Sequence, residues 1–325
     1  MPKSKKKFQI RKRKTGTLWI PDSEQRYAAI DIGSNGVRLL LSRVITSGAF
    51  CTYTKESLVR MPIRLGADVF TDQRISNAKA DQLVSTMIAF KYLLEAYEPF
   101  DYRACATSAM REATNGRKLA ERIRQESGLD LNVIGGGEEA EMIFASHVAE
   151  TLDPECGYLY IDVGGGSTEL TFFINGTKTA SRSFPVGTVR MLNGQVKPAM
   201  WSEMQHWVKE NLTENSTLNA IGSGGNMNKL FRMAGIETGK PVSYAQLIKI
   251  DELLNSYDLE ERIRILHLRP DRADVITQAS EIFTSIMKWG HIDNIYVPQF
   301  GLADGLVHVM HDAYLSTLGK VNKKD

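Results

Sequence analysis

The sequence predicts an α/β fold of two similar lobes separated by a cleft, and three observations support it. A glycine turn led by an aspartate occurs twice, in YAAIDIGSNGV (27–37) and in YIDVGGGSTEL (160–170). A similar succession of strands and helices follows each turn. The chain has 325 residues, which is long for one ordinary domain and suits two.

The first half begins with a predicted hairpin. β-forming residues at 27–32 and 37–45 flank the turn GSNG, and Asn-Gly is the strongest short hairpin signal. Apolar spacing of helical period then favours a long helix after Ser76. The further predicted elements are a strand at 50–60, a helix at 76–97, a strand at 102–107, a helix at 108–128, a strand at 131–136 and a helix at 138–152.

The second half repeats this pattern, with strands on either side of GGGS. The predicted elements are strands at 158–163, 168–174 and 177–186, a helix at 201–212, a strand at 218–222, a helix at 224–235, a helix-rich stretch, a strand at 294–299 and a helix around GLADGLVHVMHDAYL (301–315). We expect the first lobe to comprise 22–152 with 303–318, and the second lobe to comprise 153–302.

Charge is distributed unevenly along the chain. Residues 1–14 hold eight of the 40 Lys and Arg and no acid, which leaves 32 basic against 38 acidic residues, a net charge of −6, in the remainder. A block of like charges is typical of a solvated segment, so we expect a disordered basic arm at 1–21. Recruitment of a polyanion is the functional alternative for this arm.

Composition excludes several classes of protein. Hydrophobic content of 42% and charged content of 24% are globular values. No apolar run reaches the roughly 18–20 residues of a membrane span, and no secretory signal follows the basic start. Cys51, Cys105 and Cys156 lack zinc-binding or disulfide spacing, so we expect reduced thiols and a cytoplasmic protein. P-loop, Rossmann and serine-hydrolase motifs are absent from the sequence.

The two turns have the chemistry of phosphate-binding loops. A tight turn of Gly, Ser and Asn exposes several backbone N–H groups on one side, and such groups bind phosphate oxygens. Asp31 and Asp162 would repel a bare anion there, but they suit a bound Mg²⁺ or another divalent cation. An ordinary hairpin is the alternative for one turn, although it requires no aspartate. The predicted phosphate-binding residues of the turns are Gly33, Ser34, Asn35, Gly164, Gly165, Gly166 and Ser167.

A third glycine cluster lies in AIGSGGNMNKL (220–230), where a predicted strand passes into a helix. The first N–H groups of a helix favour anions, so Gly222, Ser223 and Gly224 are further candidates for phosphate binding. Close packing between the strand and the helix is the alternative.

The catalytic candidate lies in IGGGEEAEMIF (134–144). Glu138 and Glu139 follow a glycine run at a helix start, where acidic residues are ordinary, but one of them could act as a general base. Helix geometry separates the two by about 100°, so only one can face a cleft. Arginine binds phosphoryl oxygens in pairs, which makes Arg38, Arg64 and above all Arg111 candidates.

These motifs together resemble the exopolyphosphatase/guanosine pentaphosphate phosphohydrolase (Ppx/GppA) family. The resemblance runs from about residue 27 to about residue 315 and rests on AAIDIGSNGVRLLL, ATSAMREATN, GGGEEAEMIF, YIDVGGGSTEL, AIGSGG and RPDRADVI…GLADGL in this order. It implies the duplicated actin-like, sugar-kinase-like (ribonuclease H-like) fold. It also implies metal-assisted hydrolysis of terminal phosphate from polyphosphate or guanosine pentaphosphate.

The resemblance also assigns roles to residues. It implies that Glu139 is the base, that Asp31 and Asp162 are the acids of the two loops, and that Glu169 joins them at the metal. The expected partners are these substrates, with no specific nucleic acid and no membrane. A homodimer is left open beside a monomer.

Three departures from the family pattern raise a rival interpretation. Gly36 stands where Ser or Thr is usual, Asn226 stands where Thr is usual, and the chain ends at Asp325 without the C-terminal helical region of longer relatives. We expect the last difference to restrict the grip on long polyphosphate. The two substitutions favour, as the rival, a binding protein that senses nucleotide or alarmone without turnover. A kinase of the same fold is a third option.

Overall fold

Two mixed β-sheets form the framework of the molecule. The computed structural model describes residues 22–48, 50–144, 156–212, 218–298 and 300–321. The strands are β1 (Ser23–Ile32), β2 (Val37–Ser47), β3 (Phe50–Met61), β4 (Asp101–Ala106), β5 (Asn132–Val133), β6 (Gly157–Val163), β7 (Thr168–Ile174), β8 (Thr177–Phe184), β9 (Leu218–Ser223), β10 (Val242–Ser243) and β11 (Asn294–Tyr296).

Helices cover the two sheets. They are α1 (Leu65–Asp72), α2 (Asn77–Tyr97), α3 (Ser108–Glu112), α4 (Gly116–Ser127), α5 (Gly136–Phe144), α6 (Thr188–Leu192), α7 (Pro198–Glu210), α8 (Gly224–Ala234), α9 (Tyr244–Asn255), α10 (Leu259–Arg264), α11 (Pro270–Ala273), α12 (Ile276–Trp289) and α13 (Leu302–Val321). None of those within the described ranges is both long and apolar enough to cross a membrane.

The two sheets repeat one topology. The first has the order β3-β2-β1-β4-β5, and the second has the order β10-β11-β9-β6-β7-β8. In each, three antiparallel strands are followed by parallel pairing, of β1 with β4 and of β6 with β9. Five strands therefore correspond in order and direction, and β10 is an additional edge strand. The predicted duplication of a mixed α/β unit is confirmed.

Burial explains why β1 and β6 lie at the centre of their sheets. The stretch from Tyr27 to Ile32 is buried throughout, as expected for a strand that is covered on both faces. Helix α13 packs on β1, β2 and β4, and its apolar face shares one cluster with Tyr27 of the first sheet and Tyr160 of the second. This shared core fixes the two sheets, and with them the two glycine turns, relative to each other.

Several predicted elements differ from the structure. The single helix predicted at 108–128 is wrong, because α3 and α4 are separate. Asn115 between them donates to the backbone oxygen of Ile75 and accepts from its backbone nitrogen, and these bonds turn the chain. The strand predicted at 131–136 is only two residues long. The helix predicted at 138–152 begins at Gly136, and its part beyond residue 144 lies outside the described residues, as does the arm at 1–21.

Candidate active site

The two glycine turns have the same backbone geometry and touch each other. The Gly33 nitrogen donates to the Gly36 oxygen at 3.1 Å, and the Gly164 nitrogen donates to the Ser167 oxygen at 2.9 Å. A Cβ placed on Gly165 would lie only 2.9 Å from the Cβ of Ser34. A residue without a side chain is therefore needed for the second turn to approach the first so closely.

A pocket of about 110 Å³ lies where the turns meet. Both turns line it, together with the start of α8 and the start of α3 with the residue before it. Four carboxylate residues share this pocket, and they come from four separate elements. These residues are Asp31 on β1, Glu139 on α5, Asp162 on β6 and Glu169 on β7.

Helix α5 presents Glu139, and not Glu138, to the pocket. Glu139 lines the pocket between the turns, whereas Glu138 is exposed and lines a separate cavity beside Cys105. A Cβ on Gly136 would lie 3.1 Å from the Glu169 Oε1 atom, so the glycine run brings the helix start against β7. The structure therefore distinguishes two glutamates that the residue pattern leaves equivalent.

Three of the four carboxylates have raised pKa values. Burial raises the pKa of Glu139 well above its usual value, and Glu169, Asp162 and Asp31 add to the rise, while the nearby charge of Arg111 opposes it. Burial likewise raises the pKa of Asp162, and burial together with the Asp162 charge raises the pKa of Glu169 to about 7. The pocket is a concentration of negative charge in an environment that disfavours it.

Hydrogen bonds hold three of the four carboxylates in place. Arg38 Nη1 donates to Asp31 Oδ2 at 2.6 Å. Hydroxyls of Ser167 and Ser183 donate to Glu169 Oε1 at 2.7 and 2.8 Å. Behind Asp162, the Tyr160 hydroxyl donates to Ser223 Oγ at 2.6 Å, and the Ser223 side chain is hydrogen-bonded to Asp162, which lowers the pKa of that carboxyl against the effect of burial.

Most residues predicted to bind phosphate line the pocket. They are Gly33, Ser34, Asn35, Arg38, Gly164, Gly165, Ser167 and Gly224.

Three other residues predicted to bind phosphate lie next to the pocket without lining it. Gly222 and Gly166 serve packing, since a Cβ would meet Ile295 in the first case and the Phe70 ring in the second. Ser223 lies behind Asp162, as described above. The alternative reading of the third glycine cluster, close packing between strand and helix, therefore applies to Gly222.

Two predicted arginines also have partners elsewhere. Arg64 Nη1 forms an ion pair with Asp274 Oδ2 at 2.6 Å, and the residue is not part of the pocket wall. Arg111 Nη1 donates to the Ile134 oxygen at 2.9 Å, so it supports the segment between β5 and α5, and its charge reaches Glu139 from there.

Sequence reasoning missed two arginines of the pocket, Arg60 and Arg272. Arg272 Nη1 donates to the Gly225 oxygen at 2.6 Å, and burial, together with the charges of Arg60 and Arg38, lowers its pKa to about 10. Both lie far in sequence from the turns, and β3 and α11 bring them to the pocket. The one available signal was RPDR in the stretch that carries the family resemblance.

A divalent cation fits the chemistry of this pocket. Among the described residues, no three or more His, Cys, Asp or Glu side chains are grouped so that they could hold a metal ion by themselves. Mg²⁺ usually binds through one or two carboxylates and completes its shell with phosphate oxygens and water. Buried carboxylates whose pKa values are raised by mutual repulsion are suitable ligands of this kind, because a cation relieves the repulsion.

Comparisons with a family model and with known proteins point to the same family. The model of the Ppx/GppA phosphatase family matches residues 57–313. A guanosine-5'-triphosphate,3'-diphosphate pyrophosphatase from Aliivibrio fischeri is 27% identical over 299 residues, which cover 88% of this chain and 59% of that protein. Exopolyphosphatase 1 from Mycobacterium bovis is 25% identical over 306 residues, which cover 87% of each protein. The chain thus spans about three fifths of the length of the first relative.

Solved structures share the fold. An exopolyphosphatase from Cytophaga hutchinsonii aligns with a TM-score of 0.75 at 24% identity, over 89% of this chain and 98% of that one. The Aquifex aeolicus member of the Ppx/GppA family aligns with a TM-score of 0.72 at 24% identity, over 90% of this chain and 99% of that one.

Proposed function

Because this chain belongs to the Ppx/GppA phosphatase family, we propose that it is a hydrolase that releases the terminal phosphate of inorganic polyphosphate or guanosine pentaphosphate. The observation that carries the proposal is the convergence of two phosphate-binding turns and one glutamate, Glu139, on a single pocket. The two named relatives correspond to the two substrates, and both substrates end in a phosphoanhydride-linked phosphate.

The terminal phosphate binds between the turns in this proposal. Backbone N–H groups of the turns at 33–36 and 164–167 and the N-terminus of α8 offer donors to phosphoryl oxygens. Arg38 and Arg272 add positive charge at the same place. Donors that are fixed before the reaction stabilise the charge that spreads over these oxygens in the transition state.

Glu139 acts as the general base in this proposal. Its raised pKa makes the carboxylate a better proton acceptor than an exposed glutamate. It takes a proton from water as the water oxygen bonds to the terminal phosphorus. The bond from that phosphorus to the bridging oxygen breaks, and the products are orthophosphate and a substrate that is one phosphate shorter. Arg111 stabilises the charged form of Glu139.

Asp31, Asp162 and Glu169 would hold the divalent cation. When bound, Mg²⁺ or a similar ion supplies positive charge that offsets the charge of the phosphoryl oxygens. The serine hydroxyls on Glu169 and the Ser223 bond to Asp162 orient these two carboxylates. Asp31 already has Arg38 as a partner, so its contribution to a cation would be shared with that arginine.

The test is phosphate release by purified protein from polyphosphate and from guanosine pentaphosphate, with Mg²⁺ present. We expect Glu139→Gln to lower the rate by about 10²–10⁴-fold, because a positioned base usually contributes this much. Glu138→Gln is the matched control, since the neighbouring residue is exposed and lies outside the pocket. A Glu139→Gln rate near that of wild type rejects the base. Tight binding by wild type with no release of phosphate favours the non-catalytic sensor.

A further inference from the structure

Gly36 and Arg60 occupy adjacent space at the rim of the pocket. A Cβ placed on Gly36 would lie 3.1 Å from Arg60 Nη2, 3.2 Å from Arg60 Nε and 3.1 Å from the Met61 backbone oxygen. The Met61 oxygen cannot move aside easily, because Met61 pairs with Val37 between β2 and β3. The absence of a side chain at Gly36 is therefore what gives the Arg60 guanidinium its place.

The Arg60 guanidinium is held from both sides of the cleft. Its Nη2 donates to Asp271 Oδ2 at 2.5 Å and, more weakly, to the Asn35 oxygen at 3.4 Å. The Asn35 amide in turn donates to the Asp271 backbone oxygen at 2.9 Å. The Arg60 Nε is buried and has no hydrogen-bond partner among the residues that the structure describes. The side chain as a whole is 13% exposed and lines the pocket, so the exposed part of the guanidinium can meet a ligand.

Arg60 lies where the pocket opens into a larger space. The pocket of about 110 Å³ adjoins a cavity of about 570 Å³, and Arg38, Arg60 and Arg272 line both. A Cβ on Gly225 would lie 2.8 Å from Arg272 Nη2 and 3.3 Å from Arg38 Nη2, so guanidinium groups crowd this opening. A phosphate chain whose end lies in the smaller pocket would extend through this opening into the larger cavity, past these arginines.

We propose that Arg60 is a substrate-binding residue that contacts the phosphate next to the terminal one, and that Gly36 determines specificity because it makes room for this contact. This inference rests on the proposed function. The ligand is a phosphoanhydride chain, in which each phosphate carries charge. The guanidinium keeps its charge while part of it is bonded to Asp271, so Arg60 replaces the hydroxyl donor that Gly36 lacks with a charged donor.

The test measures binding of linear polyphosphate to Arg60→Gln in the Glu139→Gln background, in which the probe is not consumed. We expect the dissociation constant to rise by about 10- to 100-fold, because charged hydrogen bonds to the anion are lost. Arg43→Gln is the matched control. It also removes a sheet arginine that pairs with carboxylates, Glu24 and Glu56, but it lies away from the pocket. Equal affinities for the Arg60 variant and this control overturn the proposal.

A double-mutant cycle tests the role of Gly36. We expect Gly36→Ser to weaken binding by about tenfold when Arg60 is present, because the added side chain displaces the guanidinium. In the Arg60→Gln background the same change should alter binding by less than about threefold, since the displaced group is already gone. Additive effects of the two substitutions contradict the proposed link between the two positions.

Melting temperatures of all variants accompany these measurements. Should Arg60→Gln fail to fold, Arg60→Lys keeps the charge without the fork, and we expect weakening of about threefold to tenfold; unchanged binding overturns the proposal. The binding readout also separates the two hypotheses. Wild-type protein that binds polyphosphate through Arg60 but releases no phosphate rejects the proposed hydrolysis and supports this inference.

Discussion

The two glycine turns have the same backbone hydrogen bond, but the charged residues beside them differ. In the first hairpin Asp31 pairs across the strands with Arg38, and in the second Asp162 pairs with Glu169 at the corresponding position. The first pair forms an ion pair at 2.6 Å. The second brings two carboxylates face to face, an arrangement that is destabilising between neighbouring strands. The difference comes from the second strand of each hairpin, which has Arg38 in the first and Glu169 in the second at this position.

This difference shows how a duplicated frame becomes an asymmetric site. On its pocket side, the turn at 33–36 has Arg38 and Arg60 beside it and suits an anion. The pocket side of the turn at 164–167 has Asp162 and Glu169 beside it and suits a cation. Hydroxyls of Ser167 and Ser183 donate to Glu169 and hold it beside Asp162. The fold therefore keeps the two carboxylates together in spite of their repulsion. A phosphate that carries a divalent ion has both characters, and it fits between two unequal turns better than between two equal ones.

The largest effect is expected from removing the charge of Glu169, because this carboxylate distinguishes the second turn from the first. We expect Glu169→Gln to lower the rate of phosphate release by about 10²-fold or more, because a carboxylate proposed to hold the cation is lost. Glu203→Gln is the control, since it removes an exposed carboxylate that pairs with Arg182. The measurement is the initial rate as Mg²⁺ is varied. A variant that reaches the wild-type rate at the wild-type Mg²⁺ concentration shows that Glu169 is not needed at the cation.

The corresponding position of the first turn tests the anion side. We expect Arg38→Gln to raise KM for polyphosphate by about 10- to 100-fold without raising the Mg²⁺ requirement, because a charged donor to the substrate is removed while Asp31, freed from its ion pair, stays available to the cation. Arg38→Lys keeps the charge and should lose less. An Arg38→Gln variant whose main defect is a higher Mg²⁺ requirement would show that the two turns do not divide the tasks in this way.

The free energy of unfolding reports the repulsion between Glu169 and Asp162 beside the second turn. The pKa of Glu169 is raised from 4.5 to about 7, so the folded state binds this proton more tightly than the unfolded state does. The contribution of Glu169 to stability is therefore greatest below its ordinary pKa and is lost as pH rises toward 7. Glutamine does not titrate. We expect the free energy of unfolding of Glu169→Gln, relative to wild type, to rise by about 1–3 kcal/mol between pH 4.5 and pH 8 without divalent ions.

Urea denaturation at the two pH values, with a chelator present, makes this measurement. Glu203→Gln again serves as the control, and its difference from wild type should not change with pH in this way. A difference between Glu169→Gln and wild type that does not change with pH would mean that burial and Asp162 do not destabilise the ionised form of Glu169.

The sequence predicted the frame of this site well, because the frame depends on local patterns. Asn-Gly and triple glycine between β-forming residues specify the two hairpins, and the duplicated order of elements follows from apolar periodicity. The aspartates before the turns were identified for the same reason. Glycines that bind and glycines that pack have the same local pattern, so Gly165 and Gly222 could be told apart only by their neighbours in space.

Local sequence patterns could not predict contacts between distant parts of the chain. Arg60 and Asp271 are separated by 211 positions and meet only because the two lobes fold against each other. Arg64 was the candidate in this part of the sequence, yet it pairs with Asp274 outside the pocket, and Arg60, which was not predicted, lines the pocket. Residue spacing alone likewise left Glu138 and Glu139 equivalent, because it does not give the angle at which α5 meets β7. Only the family resemblance selected Glu139 from the sequence.

The smallest predicted effect concerns the strands behind the turns. Tyr160 and Ser223 form a hydrogen-bond chain to Asp162, while the corresponding positions of the first lobe are Ala29 and Cys105, which have no such chain in the same register. Tyr160→Phe removes one neutral hydrogen bond and keeps the ring. We expect the rate of phosphate release to fall by about 2- to 10-fold, since such a bond contributes roughly 0.5–1.5 kcal/mol. The melting temperature should change little, because the buried ring still packs against the α13 cluster. An effect that equals the loss in Glu169→Gln would mean that orientation of Asp162, more than the charge at position 169, makes the second turn different from the first.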